Sequence, residues 1–203
     1  ALAGYDHPAA SHDLQWDVRN AARLRPMLPA VADDALRDRL GAELDRFEAV
    51  VLPRLPGLRH QVVHNDLNHH NVVADPADPD RVAGIIDFGD MVRTALAADV
   101  AVAASYLTGQ DDDPLAAVRD LVGAYHATVP LRPEEVALLR DLIVARLATS
   151  VVLPGWRARR QPRNAPYILR NVAVARAGLL RFATLPPEAV ARALLSACGM
   201  EAA

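Results

Sequence analysis

The sequence predicts a mainly α-helical fold that carries two short β-hairpins. Most of the chain consists of stretches in which apolar residues recur at helical spacing, as in residues 33–51. Residues 95–107 are apolar on nearly every side, which indicates a buried helix. Strand signals are confined to two short β-prone runs, Val62-Val63 and Ile85-Ile86, and each run leads directly into acidic and amide residues.

Proline residues set several of the expected boundaries, because proline lacks the backbone N–H that a continuing helix needs. Pro26 and Pro29 should interrupt the chain after the first helix, and Pro154 should end the fifth. The turn-rich residues 75–80 should link the two hairpins. The predicted helices cover residues 11–24, 33–51, 95–107, 114–127, 133–153, 165–185 and 187–198.

The composition excludes several classes of partner and location. Hydrophobic residues make up 52% of the 203 positions, which is enough for a substantial core, and the net charge of −3 gives no general attraction to nucleic acid. The single cysteine, Cys198, rules out an internal disulfide framework and is compatible with a reducing cytoplasm. No run of about 18 apolar residues suggests a membrane span. We therefore expect a cytoplasmic protein with neither a nucleic-acid nor a membrane partner.

The functional residues are expected in the stretch from Arg59 to Asp90. Asp66 and Asn71 lie five positions apart, so the loop between them can fold back and direct both side chains into one space. Asp87 follows the second apolar run and can complete a site of oxygen ligands. Carboxylate and amide oxygens suit Mg²⁺, which also keeps coordination positions for substrate phosphates. Metal, positioning and a proton acceptor are the requirements of phosphoryl transfer.

The segments H-N-D-L-N-H-H-N, from His64 to Asn71, and I-D-F-G-D, from Ile86 to Asp90, resemble the catalytic core of the aminoglycoside phosphotransferase and choline kinase family. That family is related to the protein kinases, and its pattern is His-x-Asp-x-x-x-x-Asn followed by Ile-Asp-Phe. This sequence matches every fixed position of the pattern. The resemblance implies that the chain is the C-terminal lobe of a protein-kinase-like phosphotransferase.

The same resemblance implies a role for each site residue. Asp66 would be the base that receives the proton of the substrate hydroxyl, and Asn71 and Asp87 would hold Mg²⁺ and the nucleotide. His64 would brace the loop, and Asp99 would anchor it through backbone amides. We also expect Asp66 to face an open cleft, where loss of its charge costs little stability.

The implied reaction transfers the γ-phosphoryl group of ATP, or of another nucleoside triphosphate, to a small-molecule hydroxyl. The acceptor would be an amino alcohol or an aminoglycoside-like compound. The sequence around the motif is most similar to the branch of the family that acts on amino alcohols such as hydroxylysine. That branch includes lobes fused to class III aminotransferases. A fused aminotransferase domain is therefore an expected partner.

The chain contains no lysine, since all 22 basic residues other than histidine are arginine, and it contains no Gly-rich G-x-G loop. Kinases of this type hold the nucleotide phosphates with a lysine on a strand of the N-terminal lobe. We therefore expect residues 1–203 to form one C-terminal catalytic and substrate-binding lobe that lacks the N-terminal nucleotide lobe. Such a lobe should be inactive in isolation.

Other interpretations of the same residues remain open. Asp66 is also a typical turn or cap residue. The lobe could be a pseudokinase-like binding or regulatory module, and His64, His69 and His70 with Asp66 could form the zinc site of a hydrolase. The rings of His69 and His70 are expected to point apart because the two residues are adjacent.

Two further features of the sequence, Trp16 and the basic run, each allow two structural interpretations. Trp16 is expected to pack against the core rather than stack on a ligand. The basic run at residues 157–163 is expected to be a solvated loop, although it could contact phosphates or an acidic substrate.

Overall fold

The computed structural model describes residues 2–109 and 112–201. Within these residues the fold is mainly α-helical with two small antiparallel sheets, which confirms the predicted fold class. The α-helices are α1 (Asp34–Arg46), α2 (Leu96–Ser105), α3 (Ala116–Thr128), α4 (Pro133–Arg160), α5 (Ala165–Ile168), α6 (Val172–Phe182) and α7 (Pro187–Ala197), and the strands are β1 (His60–Val63), β2 (Val72–Asp75), β3 (Asp78–Ile85) and β4 (Val92–Ala95).

Only one of the two small sheets is a hairpin. β2 pairs with β3, so residues 75–80 lie within this hairpin and do not link two hairpins as predicted. β1 pairs instead with β4, with Val63 opposite Val92. Both of these valines are buried, so the pairing hides their backbone groups and their side chains together. This non-local ladder brings the end of β1 next to the start of β4, and it places the two candidate loops side by side.

Helix α4 is the centre of the hydrophobic core, because it contacts α2, α6, α7 and the N-terminal 3-10 segment. The prediction that α4 ends at Pro154 is wrong, because the helix continues to Arg160. Proline inside a helix costs about 3 kcal/mol, but Pro154 is itself buried in the core. The free energy gained by burying much of this 28-residue helix exceeds the cost of one missing backbone N–H donor. The first residues of the basic run 157–163 therefore lie on a helix and not in a loop.

The N-terminal region differs from the predicted helix at residues 11–24. A 3-10 segment spans Val18–Ala30, and the carboxylate of Asp17 caps it by accepting the Arg19 N–H. Pro26 and Pro29 lie inside this segment rather than after it, because the φ angle of proline suits 3-10 geometry. The segment packs against α1 and α4.

The predicted helix at residues 165–185 is divided into α5 and α6, with residues 169–171 between them. This break matters for the site, because it turns residues 170 and 171 toward the candidate cavities. Among residues 2–109 and 112–201, no helix has the length and apolar character required to cross a bilayer.

Candidate active site

The loop between β1 and β2 brings Asp66 and Asn71 together, as the sequence predicts. The Nδ2 atom of Asn71 donates hydrogen bonds to the backbone oxygen of Asp66 at 2.8 Å and to Asp66 Oδ2 at 3.2 Å. Asn65 has a left-handed backbone with φ of 63°, and its N–H donates to Asp99 Oδ1 at 2.7 Å. Asp99 of α2 therefore holds the sharp turn that precedes Asp66.

His64 connects the loop of Asp66 to the chain that carries Asp87. Its Nδ1 accepts the N–H of Asp66 at 3.3 Å, so its Nε2 carries the proton that is donated to the backbone oxygen of Ile86 at 3.0 Å. The imidazole also packs against Phe88, with 5.0 Å between ring centroids. These contacts fit a bracing role for His64.

Asp87 and Asn71 present the oxygen atoms that suit a hard cation. Asp87 follows β3, adopts a left-handed backbone with φ of 63°, and is exposed. Because Asn71 Nδ2 is occupied by Asp66, the amide oxygen of Asn71 is left for another ligand. Both residues line a cavity of about 320 Å³ together with Asp66. Two oxygen donors beside an open space fit Mg²⁺, which takes further ligands from phosphates and water.

Asp66 is paired, which the sequence did not predict. Its Oδ1 accepts hydrogen bonds from Tyr106 Oη at 3.0 Å and from Arg146 Nη2 at 2.8 Å. Its side chain is 24% exposed, whereas that of Arg146 is only 3% exposed. Asp66 faces a cavity, as expected, but the expectation that loss of its charge costs little stability took no account of this ion pair. Asp66 is the counter-ion of a buried guanidinium, and its second oxygen, Oδ2, accepts the longer of the two hydrogen bonds from Asn71.

Sequence reasoning missed Arg146 because it lies in the middle of α4, 80 positions from Asp66. In a stretch of helix that is otherwise buried and largely apolar, an arginine has a desolvation cost that demands a carboxylate partner. This desolvation cost was the one feature of the sequence that could have pointed to Arg146. Arg146 Nη1 also donates to the backbone oxygen of Trp16 at 2.9 Å.

A second cavity of about 520 Å³ adjoins the first, and Asp66 lines both. Its walls come from α2, α4 and the α5–α6 region, and they include Trp16, Asp90 and Arg157. Trp16 packs against the core as predicted, but it also faces this cavity. The solvated-loop interpretation fails for Arg157, because this residue is half-buried and lines the cavity from α4.

The pKa values of two further carboxyl groups, those of Asp90 and Asp99, are changed by their surroundings. Burial raises the pKa of Asp90, and the charges of Asp66 and Asp87 raise it further. No described residue forms a hydrogen bond or ion pair with the Asp90 carboxylate. Burial also raises the pKa of Asp99, and the hydrogen bond that Asp99 accepts from the Asn65 N–H acts in the opposite direction. Asp90 is thus a half-buried carboxylate that faces a cavity without a partner among the described residues.

The geometry gives no support to the zinc interpretation. In the described part of the chain, no group of three or more His, Cys, Asp or Glu residues is arranged to hold a metal ion. The rings of His69 and His70 do not point apart as predicted but lie 3.9 Å apart between centroids. The turn between β1 and β2 lets these neighbouring rings pack against each other in a tilted arrangement, with an interplanar angle of 47°.

Comparisons with known proteins identify kinases among the relatives of this chain. The chain is 27% identical over 161 residues to hydroxylysine kinase from Xenopus laevis, which covers 76% of this chain and 43% of that protein. It is 25% identical over 179 residues to hydroxylysine kinase from Mus musculus, covering 83% and 48%. Homoserine kinase from Methylobacillus flagellatus is 34% identical over 139 residues, covering 66% and 40%.

The chain thus spans about half the length of the curated relatives that it matches. The model of the phosphotransferase enzyme family matches residues 1–139, which include all five predicted site residues. That match covers the loop of Asp66 and Asn71, the segment of Asp87 and the anchor Asp99. Because this match covers more than half of the 203 residues, the chain belongs to the phosphotransferase enzyme family.

Proposed function

We propose that this chain is the catalytic lobe of a small-molecule kinase that transfers the γ-phosphoryl group of ATP, or of another nucleoside triphosphate, to the hydroxyl of an amino alcohol. One observation carries the proposal. Asp66 lies where the two cavities meet, with Asn71 and Asp87 lining one cavity and a larger space for an acceptor on the other side. A proton acceptor between a phosphate site and a hydroxyl site is what phosphoryl transfer requires.

The chemistry assigned to Asp66 follows from its two oxygens. Arg146 and Tyr106 hold Oδ1, so the orientation of the carboxylate is fixed and Oδ2 can accept the proton of the acceptor hydroxyl. The acceptor oxygen then forms a bond to the γ-phosphorus, the bond to the β–γ bridging oxygen breaks, and the nucleoside diphosphate leaves. Asn71 and Asp87 would hold Mg²⁺, which supplies positive charge against the phosphate oxygens when bound.

The larger cavity supports an acceptor that carries an amino group. Asp90 faces it with a carboxylate that has no partner among the described residues, and an ammonium group would neutralise that charge. Two groups of relatives are named for kinases of hydroxylysine and homoserine, and both of these compounds carry a hydroxyl and an amino group. An amino alcohol therefore satisfies Asp66 and Asp90 together.

We also propose that the active enzyme requires an N-terminal nucleotide lobe in addition to these 203 residues. The chain has no lysine to clamp the phosphates, and preorganised charges of this kind often dominate the rate enhancement. A fused aminotransferase domain is a further proposal that rests only on the resemblance of the motif to that branch.

The test compares the 203-residue chain with a longer protein that joins it to a nucleotide-binding lobe. Both are assayed with ATP, Mg²⁺ and a panel that contains hydroxylysine, homoserine, choline and an aminoglycoside. We expect the longer protein to phosphorylate an amino alcohol, its Asp66→Asn variant to lose that turnover, and the chain alone to show none. Turnover by the chain alone in the usual kinase range of about 1–100 per second would contradict the lobe proposal.

Failure of the longer protein to transfer phosphate to any acceptor, with ATP still bound, would instead favour a binding or regulatory lobe. ATP binding is therefore measured in parallel by calorimetry. The Asp66→Asn variant is expected to bind ATP about as well as the unchanged protein, because Asp66 acts on the acceptor proton.

A further inference from the structure

Arg157 is a positive charge directed at the acceptor cavity. It lies on α4 outside the segment matched by the family model, and it is half-buried in the cavity wall. Its Nη2 donates to Gln15 Oε1 at 2.8 Å, and its guanidinium lies 5.6 Å from the centroid of the Trp16 ring. These contacts fix the side chain, and no described carboxylate lies within ion-pair distance of it; Asp90, on the same cavity wall, interacts with its charge only at longer range.

The contrast with Arg146 shows why that charge is significant. Arg146 also lies against Trp16, at 5.2 Å, but its charge is neutralised by Asp66 at 2.8 Å. One indole thus contacts a guanidinium that already has a carboxylate and a second guanidinium that has none in the described chain. A half-buried arginine that is held in place by an aromatic ring and an amide is prepared for an anionic ligand, because its planar fork can donate two parallel hydrogen bonds to one carboxylate.

A second arginine, Arg170, must be distinguished from Arg157. Arg170 is exposed, and its guanidinium stacks 4.0 Å from the centroid of Tyr167. It lines both cavities, whereas Arg157 lines only the larger one. Arg170 therefore lies on the side where phosphate would be transferred, and Arg157 lies on the side of the acceptor alone.

We propose that Arg157 is a specificity-determining residue that binds a carboxylate of the acceptor, so that the preferred acceptor is a hydroxyl-bearing amino acid rather than an amino alcohol without an acid group. This inference rests on the proposed function for the identity of the acceptor cavity. Asp90 and Arg157 then offer opposite charges to the ammonium and the carboxylate of one zwitterion, while Asp66 faces the hydroxyl. A volume of about 520 Å³ is within the usual range for a small-molecule site.

The test uses two compounds that differ by a single group. L-Homoserine and 3-aminopropan-1-ol share the hydroxyl, the amino group and the carbon chain between them, and only homoserine has the carboxylate. Their dissociation constants for the 203-residue chain are measured by NMR titration. We expect homoserine to bind at least about tenfold more tightly, which corresponds to one charge-assisted hydrogen bond or more.

The variants assign the preference to one residue. Arg157→Ala should bring the two dissociation constants within about twofold of each other by weakening homoserine alone, and Arg157→Lys should retain part of the difference because it keeps the charge. Arg163→Ala is the matched control, because Arg163 belongs to the same basic run, is exposed and lines neither cavity. It should leave both constants unchanged. Circular dichroism verifies that each variant is folded.

Three results would overturn the proposal. They are equal affinity of the unchanged chain for the two compounds, absence of saturable homoserine binding, and loss of the preference in Arg170→Ala but not in Arg157→Ala. The outcome is separable from that of the proposed function. Phosphoryl transfer by the longer protein without a carboxylate preference rejects this inference alone, whereas Arg157-dependent binding of homoserine without any transfer rejects the kinase assignment alone.

Discussion

Asp66 has two tasks at the scale of single residues, since it is the proposed proton acceptor and also the counter-ion of buried Arg146. The Asp66→Asn variant should therefore lose stability, because it leaves a guanidinium that is 3% exposed without a balancing charge. We expect a loss of about 1–3 kcal/mol, which lowers the melting temperature by several degrees. Asp87→Asn is the control, because Asp87 is exposed and has no hydrogen-bond partner among the described residues. Equal melting temperatures for the two variants would show that Arg146 does not depend on Asp66.

Asp99 stabilises the turn that precedes Asp66. Asp99→Ala removes the acceptor of the Asn65 N–H, and Asn65 is fully buried, so an unsatisfied donor remains. We expect a loss of about 1–3 kcal/mol in the free energy of unfolding, measured by urea denaturation. Asp99→Asn keeps an oxygen at that place and should lose less. If both variants unfold at the same urea concentration as the unchanged chain, Asp99 is not the anchor of the loop.

The raised pKa of Asp90 predicts a pH dependence of stability. Because burial, with the neighbouring charges of Asp66 and Asp87, raises this pKa above 3.8, the folded state holds the proton more tightly than the unfolded state does. The contribution of this carboxyl to stability is thus full below pH 3.8 and is lost as the pH rises through the folded pKa. Asp90→Asn cannot ionise, so it should melt higher than the unchanged chain at pH 7 and at the same temperature below pH 3.8. An equal difference at both pH values would contradict this account.

At the scale of elements, α6 packs so closely against the turn that follows α2 that the contact requires glycine. A Cβ atom on Gly178 would collide with Thr108 Oγ1, and Thr108 is itself buried and bonded to the backbone oxygen of Ser105 at 3.1 Å. Gly178→Ala should therefore destabilise the fold by about 1–3 kcal/mol. Gly41→Ala in α1 is the matched control, because nothing lies within 4 Å of its Cβ position.

The Gly41 control should change stability in the opposite direction. Alanine in an open helical position restricts the unfolded chain and favours the helix, so we expect a gain of about 0.5–1 kcal/mol. Calorimetric melting of both variants measures the two effects together. A Gly178→Ala variant as stable as Gly41→Ala would show that α6 can move away from Thr108 without cost.

At the scale of the whole molecule, this lobe should bind Mg²⁺ weakly when no nucleotide is present. Asn71 and Asp87 provide two protein oxygens, and Mg²⁺ in sites of this kind relies on substrate phosphates for further ligands. Titration calorimetry of the chain with MgCl₂ should show no saturable heat below millimolar concentration. Tight stoichiometric binding, or zinc that remains through purification, would indicate a dedicated metal site and would contradict the proposed division of ligands.

The sequence by itself determined the features that depend on neighbours along the chain. The spacing of Asp66 and Asn71 predicted that one loop would unite them, and Asn71 Nδ2 does contact Asp66. Helical periodicity predicted α1, α2 and α3 to within a few residues, because an amphipathic pattern and local capping are read over a few turns. The family assignment rested on the same local motifs.

The tertiary structure alone decided the features that depend on distant partners. Three examples are the pairing of β1 with β4, the continuation of α4 through Pro154, and the ion pair of Asp66 with Arg146. Each depends on contacts between segments that are far apart in the sequence, and a short stretch of sequence does not contain those contacts. A proline penalty of about 3 kcal/mol is a local quantity, but the burial that exceeds it is summed over contacts with several other segments, including α2, α6 and α7. Local conformational preferences contribute little free energy compared with packing summed over the whole fold. Tertiary packing therefore determines which residue pairs with Asp66.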